Sequence, residues 1–217
     1  GSADCLLLAH ELQVSRASAA LTSLTIDSTG NMENQKVYTL TAGEQTLDLS
    51  RKNLGPADVK LLSKWMQRPE VSAALTSLTL DHNGGIFGEL DRYGNVETPD
   101  KHAAEAQPFF DAIKASGLTS LSLSGTGMGP VSCGKLAGAV SAALTSLNIS
   151  KNLLTCKDAI DGDLSGLIEL GKAMAASSTL SSINFAECYL GPKAAAEMAK
   201  VCSVSAALTS LTIAQNP

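Results

Sequence analysis

Aromatic residues and charged residues are both scarce in this sequence. Phe, Trp and Tyr make up only 4% of the 217 residues, although hydrophobic residues reach 44%. A core of this composition consists of leucine, alanine and valine rather than of large rings. The 16 Lys and Arg against 21 Asp and Glu leave a formal net charge of −5, and no basic block occurs. The missing basic patch argues against nucleic acid and against an anionic membrane surface as ligands.

Targeting signals and paired cysteines are missing as well. No apolar run reaches the length that spans a membrane, and no signal peptide is visible. The chain begins with Gly1-Ser2, typical of a tag-cleavage remnant, so we expect the native start to be missing. The 5 cysteines are odd in number and irregularly spaced. This favours free thiols in a reducing compartment, and therefore a cytoplasmic location.

A short apolar motif recurs along the whole chain. Four copies are nearly identical: ASAALTSLTI at 17–26, VSAALTSLTL at 71–80, VSAALTSLNI at 140–149 and VSAALTSLTI at 204–213. We call these the A repeats. Three weaker copies, the B repeats, lie between them: EQTLDLSRKNL at 44–54, LTSLSLSGTGM at 118–128 and LSSINFAECYL at 180–190. A strand this short buries its leucines only when neighbours stack against it, so the pattern predicts seven parallel strands backed by helices.

One position after each core is expected to lie in a buried slot. The residues there are Thr29, Lys52, Asn83, Thr126, Asn152, Cys188 and Asn216. Asn, Thr and Cys suit a slot in which the side chain bonds the backbone of neighbouring turns. Lys52 does not fit, so either Asn53 replaces it or that turn is distorted. Glu44 also stands where a leucine is expected, which makes residues 44–54 the weakest match.

Cores and slots together resemble the leucine-rich repeat, L-x-x-L-x-L-x-x-N/C-x-L, over nearly the whole chain. The long helical spacers resemble the ribonuclease-inhibitor-like class of that family. The resemblance implies one α/β domain over 1–217, a horseshoe-shaped solenoid with a parallel sheet on the concave side and helices on the convex side. Neither end has a polar capping repeat, so we expect a fragment of a longer repeat protein or a chain that pairs end to end. The positions expected to be buried are Leu21, Leu24, Ile26, Leu75, Leu78, Leu80, Leu144, Leu147, Ile149, Leu208, Leu211 and Ile213.

The two repeat types differ in the segment that comes after the core. Each B repeat continues with Gly-Pro, at 55–56, 129–130 and 191–192, and proline suits the first position of a helix. Helices are therefore predicted at 56–67, 130–141 and 192–201, with others at 3–14 and 164–176. The A repeats continue into inserts at about 28–43, 84–107 and 155–163. All three inserts leave from the same edge of the predicted sheet.

The second insert contains the large side chains that the predicted sheet lacks. Ile86, Phe87, Arg92 and Tyr93 all lie in it, and binding hot spots are rich in aromatic residues and arginine. Two alternatives stay open for Ile86 and Phe87: they contact a partner, or they plug the loop against the core. Thr98-Pro99-Asp100 predicts a helix N-cap with proline at the first position.

The predicted inner face of the sheet is built mainly of serine and threonine. Such residues are typical of a solvated strand surface. Asp27, Asp48 and Asp81 could form an acidic stripe across adjacent strands and meet a basic partner. The residues predicted to bind a protein partner are Phe87, Arg92, Tyr93, Asp27, Asp48 and Asp81.

Catalytic, cofactor and metal sites receive no positive support. The spacing of Asp158, Asp161 and Asp163 departs from a calcium-binding loop, and Asp163 is better placed to cap the following helix. The GTGMG segment at 125–129 lacks the lysine of a phosphate loop. The three histidines are expected on three different elements, and no metalloprotease motif occurs.

The family resemblance therefore implies a non-enzymatic scaffold for protein–protein interaction, with no cofactor and a protein partner of unknown identity. A regulator of a partner enzyme, similar to a GTPase-activating protein of this repeat class, is one alternative. Arg51 and Arg92 give it little support. A ligand-sensing module of a multidomain receptor is another alternative.

Overall fold

Short strands and helices alternate along the chain in a computed structural model that describes residues 2–14, 20–156 and 159–217. The strands are β1 (Ser23–Asp27), β2 (Val37–Thr41), β3 (Thr46–Asp48), β4 (Ser77–Thr79), β5 (Glu89–Leu90), β6 (Val96–Thr98), β7 (Ser120–Ser122), β8 (Ser146–Asn148), β9 (Ser182–Asn184) and β10 (Ser210–Thr212). The helices are α1 (Ser2–Val14), α2 (Pro56–Met66), α3 (Pro69–Ser72), α4 (Gln107–Ala115), α5 (Pro130–Ala137), α6 (Ser165–Ala176) and α7 (Pro192–Val204). None of the helices in these ranges is both long and apolar enough to cross a membrane.

Six strands form one parallel sheet in the order β10-β9-β8-β7-β4-β3. The registers place the central apolar residue of each strand beside its counterpart, so that Leu78 lies between Leu47 and Leu121. These central side chains point into the core, whereas the flanking residues of each strand are half-buried or exposed. The α/β class with a parallel sheet is therefore confirmed.

The first repeat does not join this sheet, so the prediction of seven parallel strands is wrong there. Strand β1 pairs antiparallel with β2, with Ser23 opposite Thr41 and Asp27 opposite Val37. Strand β2 belongs to the first insert and alternates strictly: Tyr38 and Leu40 are buried, and Val37 is exposed. Because β2 supplies a hydrogen-bonding partner close in sequence, β1 closes a hairpin with its own insert.

The expected core positions are more buried in the middle repeats than in the first and last repeats. The six predicted residues around β4 and β8 are at most 3% exposed: Leu75, Leu78, Leu80, Leu144, Leu147 and Ile149. The other six are less buried than predicted. Leu21, Leu24, Ile26, Leu208 and Leu211 are half-buried, and Ile213 is 43% exposed. Within the described residues, the middle repeats have a repeat on both sides, whereas β10 has a strand beside it on one side only.

The Gly-Pro pairs of the B repeats start helices as predicted. Pro56, Pro130 and Pro192 are the first residues of α2, α5 and α7. Proline is favoured there because its missing N–H would have no partner inside the helix. The predicted ends differ by a few residues, since α5 ends at Ala137 and α7 continues to Val204.

The slot residue after a core directs its amide inward, as predicted for asparagine. Asn152 is 2% exposed, and its Nδ2 donates to the carbonyl oxygens of Leu123 at 2.8 Å and Ile149 at 2.9 Å. Its Oδ1 accepts from the amides of Thr126 at 3.0 Å and Met128 at 3.1 Å. The same arrangement recurs at Asn83 and Asn216. One side chain thus links two consecutive repeats.

The slot at Lys52 is a real exception. Lys52 is only half-buried and reaches the Val37 carbonyl oxygen at 3.5 Å. Asn53 does not replace it, because its Nδ2 donates to the carbonyl oxygens of Asn31 at 2.8 Å and Asn34 at 3.0 Å. Asn53 therefore fastens the first insert to the sheet, and the turn departs from the regular pattern.

Candidate functional site

The base of the second insert is packed into the core. Ile86 is 1% exposed and Phe87 is fully buried. The Phe87 ring stacks on Phe110 at 5.5 Å between centroids and tilts against Phe109 at 6.4 Å. The sequence left two alternatives open for Ile86 and Phe87, and the structure shows the second: both side chains pack the insert against the core. Phe87 was predicted to bind a partner, but its burial removes it from any surface contact.

Backbone contacts hold this base against the next repeat. The Phe87 amide donates to the Thr126 carbonyl oxygen at 3.1 Å, and the Asp100 amide donates to the Gly127 carbonyl oxygen at 3.1 Å. Gly127 has φ +80, and a Cβ there would lie 2.3 Å from the Gly84 carbonyl oxygen. Only glycine permits this approach, so the insert is seated directly on the turn behind β7.

Asp100 fixes the far end of the second insert by capping a helix of the following repeat. Its carboxylate accepts from the backbone amides of Gly129 at 2.9 Å, Val131 at 2.6 Å and Ser132 at 3.0 Å. These amides open α5 and have no partner inside the helix, so a carboxylate there is stabilising. The prediction that Thr98-Pro99-Asp100 starts its own helix is wrong, since Thr98 ends β6 and α4 begins only at Gln107.

Between these fixed ends, β5 and β6 form an antiparallel hairpin with Asp91–Asn95 at its tip. The Asp91 carboxylate accepts from the amides of Tyr93 at 2.8 Å and Asn95 at 2.9 Å. The hydrogen bond from the Asn95 amide is the main cause of a lowered pKa of Asp91, so its carboxylate favours the charged form that organises the turn.

Arg92 and Tyr93 are presented together at this tip. Tyr93 is 73% exposed, and the Arg92 guanidinium lies 4.6 Å from the centre of its ring. The guanidinium also donates a hydrogen bond to the Tyr93 hydroxyl. Stacking and hydrogen bonding restrict both side chains before any partner arrives.

A groove of about 380 Å³ separates this hairpin from the first insert. Asn31 lies on one wall, and Leu90, Asp91 and His102 lie on the other. The groove brings part of the first insert next to the Arg92–Tyr93 tip. The two inserts therefore share one edge of the molecule, as the sequence predicts.

The predicted acidic stripe is not formed. Asp27 lies opposite Val37 in the hairpin of β1 and β2, and Asp48 lies opposite Thr79 rather than another aspartate. Asp48 accepts from the hydroxyl of Ser50 at 2.6 Å and from its amide at 2.9 Å, and that hydroxyl is the main cause of a lowered Asp48 pKa.

Asp81 is also engaged within the chain. It accepts from the Ser122 hydroxyl at 2.6 Å and from the Ser124 amide at 2.9 Å. Asp48 and Asp81 therefore tie local turns and neighbouring strands together instead of forming a common charged surface.

No group of three His, Cys, Asp or Glu side chains suited to hold a metal ion occurs in the described part of the chain. Asp158 lies outside the described residues. Asp161 accepts from three amides at the start of α7, including Lys193 at 2.8 Å, and Asp163 accepts from the Ser165 amide at 2.9 Å. The two aspartates bond different helices. Asp163 was predicted to be the N-cap of α6, but Leu164 occupies that position, and Asp163 instead accepts from the amide of the first helical residue.

The sequence reasoning missed a buried carboxylate, Asp58. It is 1% exposed and accepts from the Gly55 amide at 2.8 Å, from the Thr29 amide at 2.8 Å and from the Thr29 hydroxyl at 2.7 Å. The Tyr38 hydroxyl donates to it at 2.9 Å, and burial together with this carboxylate raises the pKa of Tyr38. An acidic residue three positions after Gly55 is a capping-box signal that could have identified it.

No family model matches the chain, and no curated protein matches it. Among solved structures, leiomodin-1 actin-binding site 2 is similar to part of it, with 20% identity and a TM-score of 0.43. The matched part covers 49% of this chain and 60% of that one. A likeness this weak carries no argument about function.

Proposed function

We propose that this chain is a non-enzymatic protein-interaction module of the leucine-rich-repeat class, built as a horseshoe-shaped solenoid. Two observations support the class. The six parallel strands stack in equivalent register, and the amides of Asn83, Asn152 and Asn216 link successive turns in the same way. Free thiols at all five cysteines fit the proposed cytoplasmic location.

The proposed contact with a partner is the hairpin tip that carries Arg92 and Tyr93. The observation that carries this assignment is the contrast between a buried base and an exposed tip. Phe87 is fully buried and Asp100 caps α5, whereas Tyr93 is 73% exposed. The base therefore fixes the position of the tip relative to the sheet.

Such a tip is suited to binding because its side chains are ordered in advance. Tyrosine and arginine contribute large contact areas at interfaces, and a restricted side chain loses less entropy when it binds. The Asp91 hydrogen bonds restrict the backbone, and the contact between Arg92 and Tyr93 restricts the side chains. A protein surface with an acidic group near an apolar pocket would match this pair.

The inner face of the sheet offers less to a partner. Its exposed and half-buried side chains are small, such as Thr46, Ser77 and Ser146, and truncating them removes little contact area. Asp48 and Asp81 already accept hydrogen bonds within the chain. The inner face is therefore assigned a minor part in binding.

The test begins with capture of a protein partner from a native lysate, followed by titration with purified variants. The double variant Arg92→Ala, Tyr93→Ala should weaken binding by more than about 2 kcal/mol, the size expected when hot-spot residues are truncated. The matched control, Thr79→Ala with Ser146→Ala, should change it by less than about 0.5 kcal/mol. A stronger effect of the control would move the contact to the inner face and overturn the assignment.

A further inference from the structure

The groove between the first and second inserts has two walls that are both held in place. On the first-insert wall, the Asn31 amide donates to Asn53 Oδ1 at 3.0 Å, and Asn53 Nδ2 donates back to the Asn31 carbonyl oxygen at 2.8 Å. The Gly30 amide donates to the Asn53 carbonyl oxygen at 3.0 Å. The other wall is the hairpin of β5 and β6, whose base is buried through Phe87. Because the groove is formed in advance, a ligand loses little free energy in ordering its walls.

The interior of the groove has room for a long side chain with an apolar stem. Gly85 and Gly88 line it without side chains of their own, which contributes to its volume of about 380 Å³. Leu90 and Pro56 supply apolar surface. A Cβ added at Gly85 would lie 4.0 Å from Leu90 Cδ1, so the leucine lies beside this open backbone.

The walls of the groove carry negative charge. Among the described residues that line it are two carboxylates, Glu89 and Asp91, and no lysine or arginine. Asp91 accepts from neutral groups, the amides of Tyr93 and Asn95, and its lowered pKa favours the charged form. Glu89 pairs with Lys101 at 3.2 Å, but both side chains are about half exposed, and an exposed pair contributes little free energy. A cation that enters the groove can therefore engage both carboxylates.

We propose that the groove binds an arginine side chain of the protein partner. The proposal rests on the proposed function, because the groove adjoins the hairpin tip: Asp91 lines the groove and directly precedes Arg92 and Tyr93. The partner surface then carries an acidic group for Arg92 and an arginine for the groove. Two contacts of opposite sign fix the orientation of a partner more strictly than one.

Arginine matches the groove with both parts of its side chain. Its hydrocarbon stem can pack on Leu90 and Pro56 while the charged end reaches the rim. The planar guanidinium has five N–H donors, so it can bond the carboxylates of Glu89 and Asp91 together through charge-assisted hydrogen bonds. An acidic side chain would be repelled by the same carboxylates, and an apolar one would desolvate them without a partner.

Proton–nitrogen NMR on the whole chain tests the groove without the partner. The probe is N-acetyl-arginine amide, and the matched probe is N-acetyl-citrulline amide, which has nearly the same shape but no charge. The arginine probe should shift the amide signals of Asn31, Leu90 and His102 with a dissociation constant of about 1–10 mM, as expected for so small a ligand. The citrulline probe should bind at least about tenfold more weakly, because the charge-assisted bonds are lost. Equal binding of the two probes, or no shift at these amides, would overturn the proposal.

Two variants assign the binding to the groove carboxylates. Glu89→Lys should abolish the binding of the arginine probe, because an ammonium group then lies at the rim. Asp91→Asn removes the charge but keeps an oxygen that accepts from the amides of Tyr93 and Asn95. It should weaken the arginine probe by about three- to tenfold, since a charge-assisted bond becomes a neutral one. Binding that survives both substitutions would contradict the assignment.

Glu187→Lys is the matched control. Glu187 is 41% exposed and pairs with Lys151 at 3.3 Å, much as Glu89 is 48% exposed and pairs with Lys101. The control changes the net charge by the same amount but lies outside the groove, so it should alter the dissociation constant of the arginine probe by less than about twofold. A loss as large as that of Glu89→Lys would mean that the probe senses net charge rather than the groove.

The same variants separate this proposal from the proposed function. The variant Arg92→Ala, Tyr93→Ala should still bind the arginine probe, because neither residue lines the groove. With the captured partner, Glu89→Lys should weaken binding by more than about tenfold, and an unchanged affinity would overturn the arginine contact. A partner that needs Arg92 and Tyr93, on a chain that does not bind the probe, would leave the proposed function standing and reject only the groove.

Discussion

The two ends of the parallel sheet are finished differently, although nearly the same sequence occurs at each. ASAALTSLTI at 17–26 precedes the β3 end, and VSAALTSLTI at 204–213 forms the β10 end. The first copy gives a strand that pairs antiparallel with β2, and the last gives a parallel strand beside β9. The core motif therefore does not decide the pairing by itself; the segment after it does.

The first copy leads into a strand with its own apolar face. Tyr38 and Leu40 of β2 enter the core, and Asp58 bonds Tyr38, Thr29 and Gly55 beneath them. Helix α1 packs against α2 on the outer side of the same end. A buried carboxylate and an antiparallel hairpin thus cover one end, whereas the other exposes Ile213.

We call the β3 end of the sheet, which the hairpin of β1 and β2 covers, the covered end, and the β10 end the open end. The largest effect is expected from removing the Asp58 carboxylate at the covered end. Asp58→Ala should lower the free energy of unfolding by about 3 kcal/mol or more, because several buried donors lose their acceptor at once. Urea denaturation measures this loss.

The matched substitution is Asp161→Ala, which removes a half-buried cap of α7 near the open end. It should lower the free energy of unfolding by about 1 kcal/mol, typical of a lost helix cap. Equal losses for the two variants would mean that Asp58 does not hold the covered end together.

An intermediate effect is expected from the asparagine slots. Asn152→Ala should lower the free energy of unfolding by about 1–3 kcal/mol, because the amides and carbonyl groups it bonds are buried between two repeats. Asn216 makes equivalent bonds but is half-buried at the open end, so Asn216→Ala should cost less than about 1 kcal/mol. Thermal denaturation checks this: the Asn152→Ala variant should have the lower unfolding midpoint of the two. A lower midpoint for Asn216→Ala would contradict the expected difference between the middle repeats and the open end.

The smallest expected effect is a difference in alkylation rate between cysteines at the two ends of the sheet, measured on the unaltered protein. Cys5 at the covered end is buried, and burial is the main cause of a pKa raised to about 11. Cys202 in α7 is exposed. Alkylation of the native protein at pH 8, followed by mass spectrometry, should therefore modify Cys202 first and Cys5 slowly.

Cys188 is a third probe in the same experiment. It is fully buried in its slot as predicted, and burial raises its pKa to about 12. It should be labelled last of these three thiols, since the thiolate is the reactive species. Rapid labelling of Cys5 or Cys188 would mean that the repeats open more easily than their packing indicates.

Periodicity predicted the parallel strands and the helix starts because each depends on residues close in sequence. The burial of Leu78 and the helix start at Pro130 were both predicted from the few residues around each position. The hairpin of β1 and β2 was missed, although Val37–Thr41 alternates as a half-buried strand does. The repeat pattern of 17–26 was strong enough to suggest a parallel partner instead.

The candidate site was predictable only in part. Arg92 and Tyr93 were identified by residue type and are exposed as required. Phe87 has the same type of side chain but is buried, and no local signal separates it from Tyr93. Its position depends on Phe109 and Phe110, which lie beyond the insert and meet it only in the folded chain.

Native-state hydrogen exchange tests the contrast between the ends most directly. The amides of Leu49 and Arg51, which donate to the next repeat, should be compared with those of Ile213 and Gln215 in β10 and the turn after it. We predict that the first pair exchanges only through global unfolding, whereas Ile213 and Gln215 exchange freely and the repeat around β10 opens at a lower free energy. Equal protection at the two ends would contradict the account.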